Sequence, residues 1–503
     1  MLSLLKFKTP PIEFNQGQLF ATNVFDLLPE DHDCFVYEQI FKGIDTLSLE
    51  SKYHHLGQHA YHPRLIVSIL IYAYSHGVFS SREIERHCHQ DLAFMYISQR
   101  NCPNFRVLGD FRKNNIQFFH DCFKQSVKMA IELKMASLGH ISLDGSKFKA
   151  NSSKHKAMSY GRLKTKENKL TKEIEELIRK AKQCDTDEDE DEDYQAQNGY
   201  SIPEDIKFKQ KQLEKVSAAK RALEKREDED NPGMAIDNKK QISFTDYDAR
   251  IMKTKGAYEY SYNPQISVDK DKQIIVGQHV SQNPNDQQEV KPALIAIAEA
   301  TDGHIINEMS LDNGYNSGAN LSALNEANID AYVATNRQDK PTKEILEESN
   351  RQFVKADFIY IEEEDSFECP AGKKLTANPN SQAKKKIYRA SKKLCQDCIY
   401  YARCNSSKNR TSRIIQTDEY EALRQGMKKK MATASAKKVY DVRKITAEPA
   451  FGHIKNSGFR GFSLRGIDKV AGEFSLVCTA YNLKKIARAK IAGSIRLKTA
   501  NGL

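Results

Sequence analysis

The sequence predicts a multidomain α/β protein in which an all-helical N-terminal domain precedes a mixed sheet that two insertions interrupt. Three observations lead to this prediction. Apolar residues recur at helical spacing over residues 63–134, strand-like and helical segments alternate over residues 140–334, and charge-rich stretches divide that alternation twice. The predicted parts are a helical domain (1–136), three parts of the sheet domain (137–161, 233–338 and 436–503) and two insertions (162–232 and 339–435).

The N-terminal domain is predicted from helix start and stop signals. In HPRLIVSILIYAYSHG, Pro63 suits a first helical position and Gly77 suits a C-terminal cap. Ser80 and Glu83 then have the spacing of a capping box at the start of a second helix. A short turn joins the two helices, which fits a helix-turn-helix reader of DNA. A helical bundle used for packing or dimerisation fits the pattern equally well.

The sheet domain is predicted from the order of its segments. Strand signals begin at HISLDG and resume at AYEYSYNPQISVD and QIIVGQHV after the first insertion. Helical and strand signals then alternate as far as IDAYVAT, which gives the order β-β-β-α-β-α-β. Three strands in hairpins followed by βα alternation is the order of a ribonuclease-H-like domain, in which the first and fourth strands are neighbours.

The two insertions have different compositions. The first is predicted to be an antiparallel hairpin of two amphipathic helices with no chemistry of its own. Its tip contains DTDEDEDED, residues 185–193, and so dense an acidic run predicts a solvated loop. The second insertion is rich in lysine and contains a cluster of cysteines.

Asp144 and Asp312 end the first and fourth predicted strands, and a turn-forming residue follows each of them. Neighbouring strand ends project both side chains into the crevice where open α/β sheets bind ligands. A third carboxylate, Glu448, comes from the C-terminal part of the sheet domain. Three converging carboxylates repel one another unless cations lie between them, and Mg²⁺ or Mn²⁺ suits such oxygen ligands. An aspartate after a strand is also an ordinary turn or cap residue, so neither aspartate alone carries the prediction.

The cysteine cluster has the spacing C-x₂₅-C-x₂-C-x₅-C and consists of Cys369, Cys395, Cys398 and Cys404. Four thiolates complete a closed tetrahedral zinc site, and the surrounding lysines and arginines favour the thiolate form that binds metal. A structural Zn²⁺ site is therefore one prediction, and free, reduced cysteines in a loop are the alternative. The remaining cysteines are scattered and suit packing or surface positions.

Charge and hydropathy limit the partners and the location of the protein. The net charge is +10, and the basic surplus lies after residue 370, which suits a polyanion such as DNA. A soluble surface with surplus lysine explains the same charge. The sequence contains no run of about eighteen apolar residues, so we expect no membrane span. Its first residues also lack the features of a signal peptide. We expect a protein that stays inside the cell, with reduced cysteines and no membrane partner.

Three segments resemble the catalytic blocks of a known enzyme family. LDGSKFKANSSK, SLDNGYNSG and YDVRKITAEPAFGHIK together resemble those of DDE-type bacterial insertion-sequence transposases, in the branch with a C-terminal signature of Tyr, Arg, Glu and Lys. HPRLIVSILIYAYSHGVFSSREIERHCHQDLAFMYI resembles the helical N-terminal domain of that branch, and FRGFSLRGIDKVAGEFSLVCTAYNLKK resembles its closing segment. The resemblance covers most of residues 60–490, apart from the insertions.

The resemblance implies a DNA transposase with Asp144, Asp312 and Glu448 at the metal-binding positions. Such an enzyme cleaves transposon ends and joins them to target DNA by two in-line phosphoryl transfers at one two-metal site. Its implied partners are double-stranded DNA, with terminal inverted repeats and a target site, and a second copy in a homodimer that holds two ends. A metal-dependent nuclease that cuts without joining and a catalytically inactive DNA-binding remnant are the alternatives.

The accessory positions of the family, which are associated with DNA phosphates near the cut, match Tyr440, Arg443 and Lys455. Tyr440 and Arg443 are three residues apart and share one helical face, for which a solvated surface is the alternative interpretation. Four residues separate Arg443 from the glutamate where the signature usually has three, which leaves Lys444 as an alternative basic residue. Pro449 predicts that the helix breaks or kinks beside that glutamate.

Overall fold

The computed structural model describes residues 23–53, 60–153, 156–190, 202–254, 256–335, 351–379, 385–405 and 411–497. The chain divides into two compact units. The first unit comprises Met1–Ala73, Val78–Gly109 and Ala487–Leu503, and the second comprises Tyr74–Gly77 and Asp110–Ile486.

The first unit is built from short helices, as the spacing of its apolar residues predicts. Tyr37, Ile84 and Phe94 are buried in its core. The Asp91 carboxylate caps one helix by accepting hydrogen bonds from two backbone amides of its first turn. Ser80 also occupies an N-cap position, but its side chain makes no capping hydrogen bond, so the predicted capping box is wrong. The helices are α1 (Asp33–Lys42), α2 (Leu47–Glu50), α3 (Pro63–Ser75), α4 (Ser81–Gln90), α5 (Leu92–Ile97) and α6 (Phe105–Asn114).

A seven-stranded mixed sheet forms the centre of the second unit. The strands before the second insertion are β1 (His140–Gly145), β2 (Phe148–Lys149), β3 (Ala157–Ser159), β4 (Gln241–Ser243), β5 (Arg250–Thr254), β6 (Ala257–Asp269), β7 (Ile275–Ser281), β8 (Glu308–Leu311) and β9 (Asp330–Val333). Strand β1 is antiparallel to β6 and parallel to β8, which is parallel to β9. Strands β2, β5 and β7 pair with β6, while β3 and β4 form a separate pair. The first and fourth predicted strands, β1 and β8, are therefore neighbours.

The helices of the second unit follow and flank these strands. They are α7 (Ile116–Glu132), α8 (Tyr160–Glu190), α9 (Ile202–Asp230), α10 (Val290–Ala300), α11 (Gly318–Glu326), α12 (Lys392–Gln396), α13 (Tyr401–Cys404), α14 (Glu421–Ala432), α15 (Ala434–Asn456) and α16 (Ile467–Ile491). The sequence assigns α7 to the N-terminal domain, but the structure groups it with the sheet. Hydrogen bonds from α16 explain this difference, because Ser475 bonds to His120 and Asn482 donates to Ser126.

Helices α8 and α9 form the first insertion and pack on one another around Leu163, Leu170, Val216 and Leu223. Helix α8 extends to Glu190, through the first part of the acidic run that predicts a loop. The rest of that run, residues 191–193, lies outside the described residues. The start of the acidic run is thus helical rather than a loop.

The second insertion contains a five-stranded sheet that the sequence does not predict. Its strands are β10 (Ile359–Ile361), β11 (Ser366–Glu368), β12 (Lys374–Ala377), β13 (Lys386–Arg389) and β14 (Ile414–Thr417), all paired antiparallel in that order. Phe358, Phe367, Leu375 and Tyr388 form its core. These strands are three or four residues long, which is too short for a periodic pattern to indicate them.

The described part of the chain is therefore a mixed α/β protein with a helical N-terminal region, as predicted. None of the helices in the described residues is both long enough and apolar enough to cross a membrane.

Candidate active site

Two aspartates lie at the ends of the parallel strands β1 and β8. Leu143 pairs with Leu311 in the register of these strands, so Asp144 and Asp312, one residue further along, lie at the same edge of the sheet. The side chain of Asp144 is 15% exposed and that of Asp312 is 39% exposed. Asp312 also accepts a hydrogen bond from the amide of Gly314, at 2.8 Å, and this bond orients its carboxylate.

Helix α15 brings a third carboxylate and an arginine to this edge. The guanidinium of Arg443 has one nitrogen, Nη2, 2.8 Å from Oδ1 of Asp144 and 3.8 Å from Oδ2 of Asp312. Its other terminal nitrogen, Nη1, lies 2.8 Å from Oε1 of Glu448. The arginine side chain is only 7% exposed. The three carboxylates singled out from the sequence therefore meet around one positive charge.

Burial and charge have opposite effects on these groups. Burial raises the pKa of Asp144 to about 6, the Arg443 guanidinium opposes this rise, and the Asp312 carboxylate adds to it. Burial lowers the pKa of Arg443, but the carboxylates, Asp144 first, outweigh burial and raise it. The arginine stays charged, and a cation between the carboxylates favours their ionised form.

The sequence predicts that Pro449 breaks or kinks the helix beside Glu448. In the structure, α15 continues through this proline without a break. A proline inside a helix lacks the amide that would bond to the carbonyl four residues earlier, here that of Ile445. The side-chain amide of Gln273, in the turn between β6 and β7, donates to that carbonyl at 2.9 Å. A side chain from another element thus replaces the missing helical bond.

Two alternative basic residues were predicted on α15, and they face different ways. Arg443 lies among the carboxylates, whereas Lys444 is exposed and pairs with Asp441 at 2.8 Å. The geometry therefore brings Arg443, and not Lys444, to the site.

The other accessory residues flank the carboxylates. Tyr440 is half-buried, and burial raises the pKa of its hydroxyl. The Lys455 ammonium bonds to the hydroxyl of Ser146, two residues beyond Asp144. It also lies 5.2 Å from the ring centre of Phe148, in the range of a cation–π contact. Lys455 is therefore held next to the end of β1.

A fourth carboxylate, Asp286, lies beside the two strand ends. Its Oδ1 accepts hydrogen bonds from the side-chain amides of Asn263 and Gln265, both at 2.8 Å. A Cβ on Gly145 would lie 2.9 Å from this oxygen, and one on Gly314 would lie 3.1 Å from Oδ2. Asp286 therefore fills the space against the glycines next to the two strand-end aspartates. Burial raises the pKa of Asp286, while the two amides oppose this rise.

Sequence reasoning missed Asp286 because its surroundings carry no periodic pattern. It lies in NPNDQQE, after β7, and such a cluster of Asn, Pro and Asp is typical of any turn. Its link to the site is long-range: the buried hydroxyl of Tyr315 donates to Gln265, whose amide in turn donates to Asp286. Tyr315 lies in SLDNGYNSG, three residues after Asp312.

Comparison with protein families matches two separate parts of the chain. Residues 22–114 match a family described as a transposase domain (DUF772), and residues 368–487 match one described as a transposase DDE domain. Both matches indicate an insertion-sequence DDE transposase. They confirm the resemblance found in the sequence, apart from the C-terminal signature. A comparison with curated proteins found no match.

One of the two matched segments includes residues of the candidate site. The DDE match includes α15, with Arg443 and Glu448, and it includes the cysteine cluster. Asp144 and Asp312 lie outside both matched segments. The family matches therefore say nothing of these two aspartates, and the case for a role of either one comes from its position in the structure.

The four cysteines of the second insertion line one cavity of about 30 Å³; they are Cys369, Cys395, Cys398 and Cys404. The amide of Lys373 donates to Sγ of Cys369 at 3.3 Å, in a turn that closes at Gly372. Burial raises the pKa of Cys404 to about 11, the Arg413 guanidinium opposes this, and the other three cysteines add to it. The structure thus brings together the thiols that the spacing indicates.

Neither cluster is yet in the arrangement of a metal site. Over the ranges that the structure describes, no group of three or more His, Cys, Asp or Glu side chains is placed to hold a metal ion. At the carboxylate cluster, Arg443 lies between the acidic groups and keeps them apart. The donor atoms of this cluster are carboxylate oxygens, which are the ligands that hard divalent cations prefer.

Proposed function

We propose that this transposase cleaves its transposon ends and joins them to target DNA at a site formed by Asp144, Asp312 and Glu448. The proposal is carried by one observation: carboxylates from two parallel strand ends and one helix converge on the guanidinium of Arg443. Aspartates that serve only as turn or cap residues have no need to meet a glutamate from a distant helix. The pairing of β1 with β6 and β8 supports a ribonuclease-H-like assignment for the sheet.

Mg²⁺ or Mn²⁺ would be held by the same three carboxylates, because hard cations prefer oxygen ligands. DDE transposases generally use divalent metals of this kind. Two bound ions would activate the attacking oxygen and stabilise the leaving oxygen in both cleavage and joining. The carboxylate oxygens that would bind the ions are those that Arg443 bonds in this structure, so the ions would take the place of its guanidinium.

The basic side chains of α15 orient the DNA in this proposal. Arg443 lies closest to the carboxylates and binds the reacting phosphate, with Tyr440 on the same helical face. Lys455, next to the end of β1, binds a neighbouring phosphate. Lys444 is occupied by Asp441 on the exposed face, so we assign it no role at the cut.

The partners follow from the proposed reaction. The substrates are double-stranded DNA with terminal inverted repeats and a target duplex. Two ends must be held together for joining, so we propose that a homodimer is the active assembly. A bacterial cytoplasm, in contact with the nucleoid, is the compartment in which such a protein meets its DNA.

We also propose that the cysteine cluster holds a structural Zn²⁺. The four thiols line one cavity, and four thiolates are the ligand set of a closed structural zinc site. The amide of Lys373 and the guanidinium of Arg413 would stabilise the thiolate charge.

A strand-transfer assay tests the catalytic proposal. Pre-cut DNA ends and a plasmid target are incubated with Mg²⁺ and with the wild type, Asp144→Asn, Asp312→Asn, Glu448→Gln or Asp441→Asn. Loss of an outer-shell metal partner typically costs about 10–100-fold, so loss of a direct ligand should lower joining at least about 100-fold. Asp441→Asn is the matched control, because it removes an exposed carboxylate from the same helix.

Parallel incubation of the wild type with intact transposon ends, together with a binding measurement, separates the alternatives. A nuclease without joining activity would cut intact ends but leave pre-cut ends unjoined. An inactive remnant would bind DNA but neither cut nor join it. Joining by all three carboxylate variants at the level of Asp441→Asn would contradict the proposed site.

A further inference from the structure

An open groove of about 590 Å³ begins beside the first catalytic aspartate and continues along the surface of the sheet domain. We propose that this groove holds the phosphate backbone of the DNA strand that leads into the cleavage site. The proposal rests on the proposed function and adds a binding path to it. At one end the groove is lined by Gly145, directly after Asp144, and by Asp286.

The charge of the groove suits a polyanion. Two carboxylates, those of Glu259 and Asp286, line it together with five basic side chains: Lys147, Lys149, Lys253, Lys455 and Arg460. Lys149 is paired with Glu259 at 3.7 Å. Clustered Lys and Arg heads without matching carboxylates raise the local concentration of phosphate groups.

Three of these basic groups have no acidic partner. Within the part of the chain that the structure describes, Lys147, Lys253 and Arg460 form no ion pair with a carboxylate. The ammonium of Lys147 instead reaches the backbone carbonyl of Lys253 at 3.5 Å, which links the two sides of the groove. Their charges therefore remain available to a bound anion.

The floor of the groove is rigid. Phe148 is buried beneath it and contacts the rings of Phe459 and Phe462, at centroid distances of 5.4 and 6.2 Å. The segment between these two rings carries Arg460 and runs beside β2, where the amide of Phe462 donates to the carbonyl of Lys149 at 2.9 Å. Arg460 is thus held at the groove by buried neighbours on both sides, which lowers the entropic cost of binding.

The β5–β6 hairpin forms the other wall and adds an aromatic side chain. Lys253 pairs with Tyr258 across the hairpin, so their side chains share one face, and Tyr258 is 61% exposed. Exposed aromatic rings beside basic residues are typical of surfaces that bind nucleic acid strands. The alternative, a solvated lysine-rich surface, accounts for the charge but not for the continuity with the catalytic end.

A comparison of two triple variants tests the groove. One is Lys147→Ala/Lys253→Ala/Arg460→Ala, and its matched control is Lys166→Ala/Lys172→Ala/Arg179→Ala. The control removes two lysines and one arginine from exposed positions of α8, so both variants lose the same net charge. Binding of a short fluorescein-labelled duplex of generic sequence is measured by anisotropy in EDTA, over a series of salt concentrations.

The groove variant is expected to bind at least about tenfold more weakly than the control, with a salt slope smaller by about 2 to 3, since each phosphate contact contributes about 0.9. Equal affinity and slope for the two triple variants would overturn the proposal. Thermal melting of both variants checks that they are folded. Because binding is measured without divalent metal, the result does not depend on catalysis. A wild type that neither cuts nor joins DNA with Mg²⁺ would count against the proposed function and not against the groove.

Discussion

Single residues decide how the carboxylates of the candidate site are oriented. Asp312 is fixed by the amide of Gly314, and Asp144 and Glu448 are each bonded to Arg443. Asp286 contributes in another way, because it is fixed by two amides and fills the space beside the strand ends. Its oxygens face the glycines that follow the aspartates, so its charge and shape act on the position of both.

Replacement of Asp286 by asparagine is therefore expected to lower strand joining by about 10–100-fold, the usual effect of losing a residue that orients metal ligands. The amide keeps the shape, and its oxygen can still accept from Asn263 and Gln265, but it removes the negative charge and puts an NH₂ donor in place of the second oxygen. Raising the Mg²⁺ concentration should recover part of the activity. The exposed Asp302, which pairs with Lys128, provides the control Asp302→Asn. Equal joining by the two variants would show that Asp286 has no positioning role.

At the scale of elements, helix α15, which carries Glu448, and the segment after it differ in how much space surrounds their glycines. Gly452 lies in α15, one turn beyond Glu448, and a Cβ placed there meets no atom within 4 Å. Gly461 lies against β2, and a Cβ there would lie 2.7 Å from the carbonyl oxygen of Lys149. The first glycine is replaceable, whereas the second is required by close packing.

Gly452→Ala should stabilise the protein by about 1 kcal/mol, because alanine is the better helix former. Gly461→Ala should destabilise it by about 1–3 kcal/mol, because the backbone must move to admit the methyl group. Thermal melting of the two variants measures both effects. A higher melting temperature for Gly461→Ala than for Gly452→Ala would contradict the packing described here.

The zinc proposal for the second insertion can be tested by measuring the metal content of cysteine variants. Protein purified without chelator should contain about one Zn²⁺ per chain, as a four-thiolate site requires. Cys395→Ser/Cys398→Ser should lose this zinc, and Cys102→Ser, which changes a cysteine outside the cluster, should retain it. Elemental analysis of the three proteins gives the answer. A zinc-free wild type would favour the alternative of reduced, unliganded cysteines.

At the scale of the whole molecule, the order of the strands was predictable from the sequence where the strand-like segments were long enough to show a pattern. The strand order around β1 followed from segments such as AYEYSYNPQISVD, and it brought Asp144 and Asp312 to one edge. The uninterrupted helix through Pro449 was not predictable, because it depends on a side chain from a distant turn, Gln273. Asp286 was missed for a similar reason, since its two hydrogen-bond partners lie about twenty residues earlier, on β6.

The most direct test of the central claim uses Fe²⁺ in place of Mg²⁺. Iron bound at the shared site reduces added hydrogen peroxide to hydroxide and a hydroxyl radical, with ascorbate returning Fe³⁺ to Fe²⁺, and the radicals cut the polypeptide close to the metal. The account predicts cuts near positions 144, 312 and 448 together, all suppressed by excess Mg²⁺ and all reduced by Asp144→Asn. Cuts at one of these positions without the other two, or a pattern unchanged by excess Mg²⁺, would contradict a shared carboxylate site.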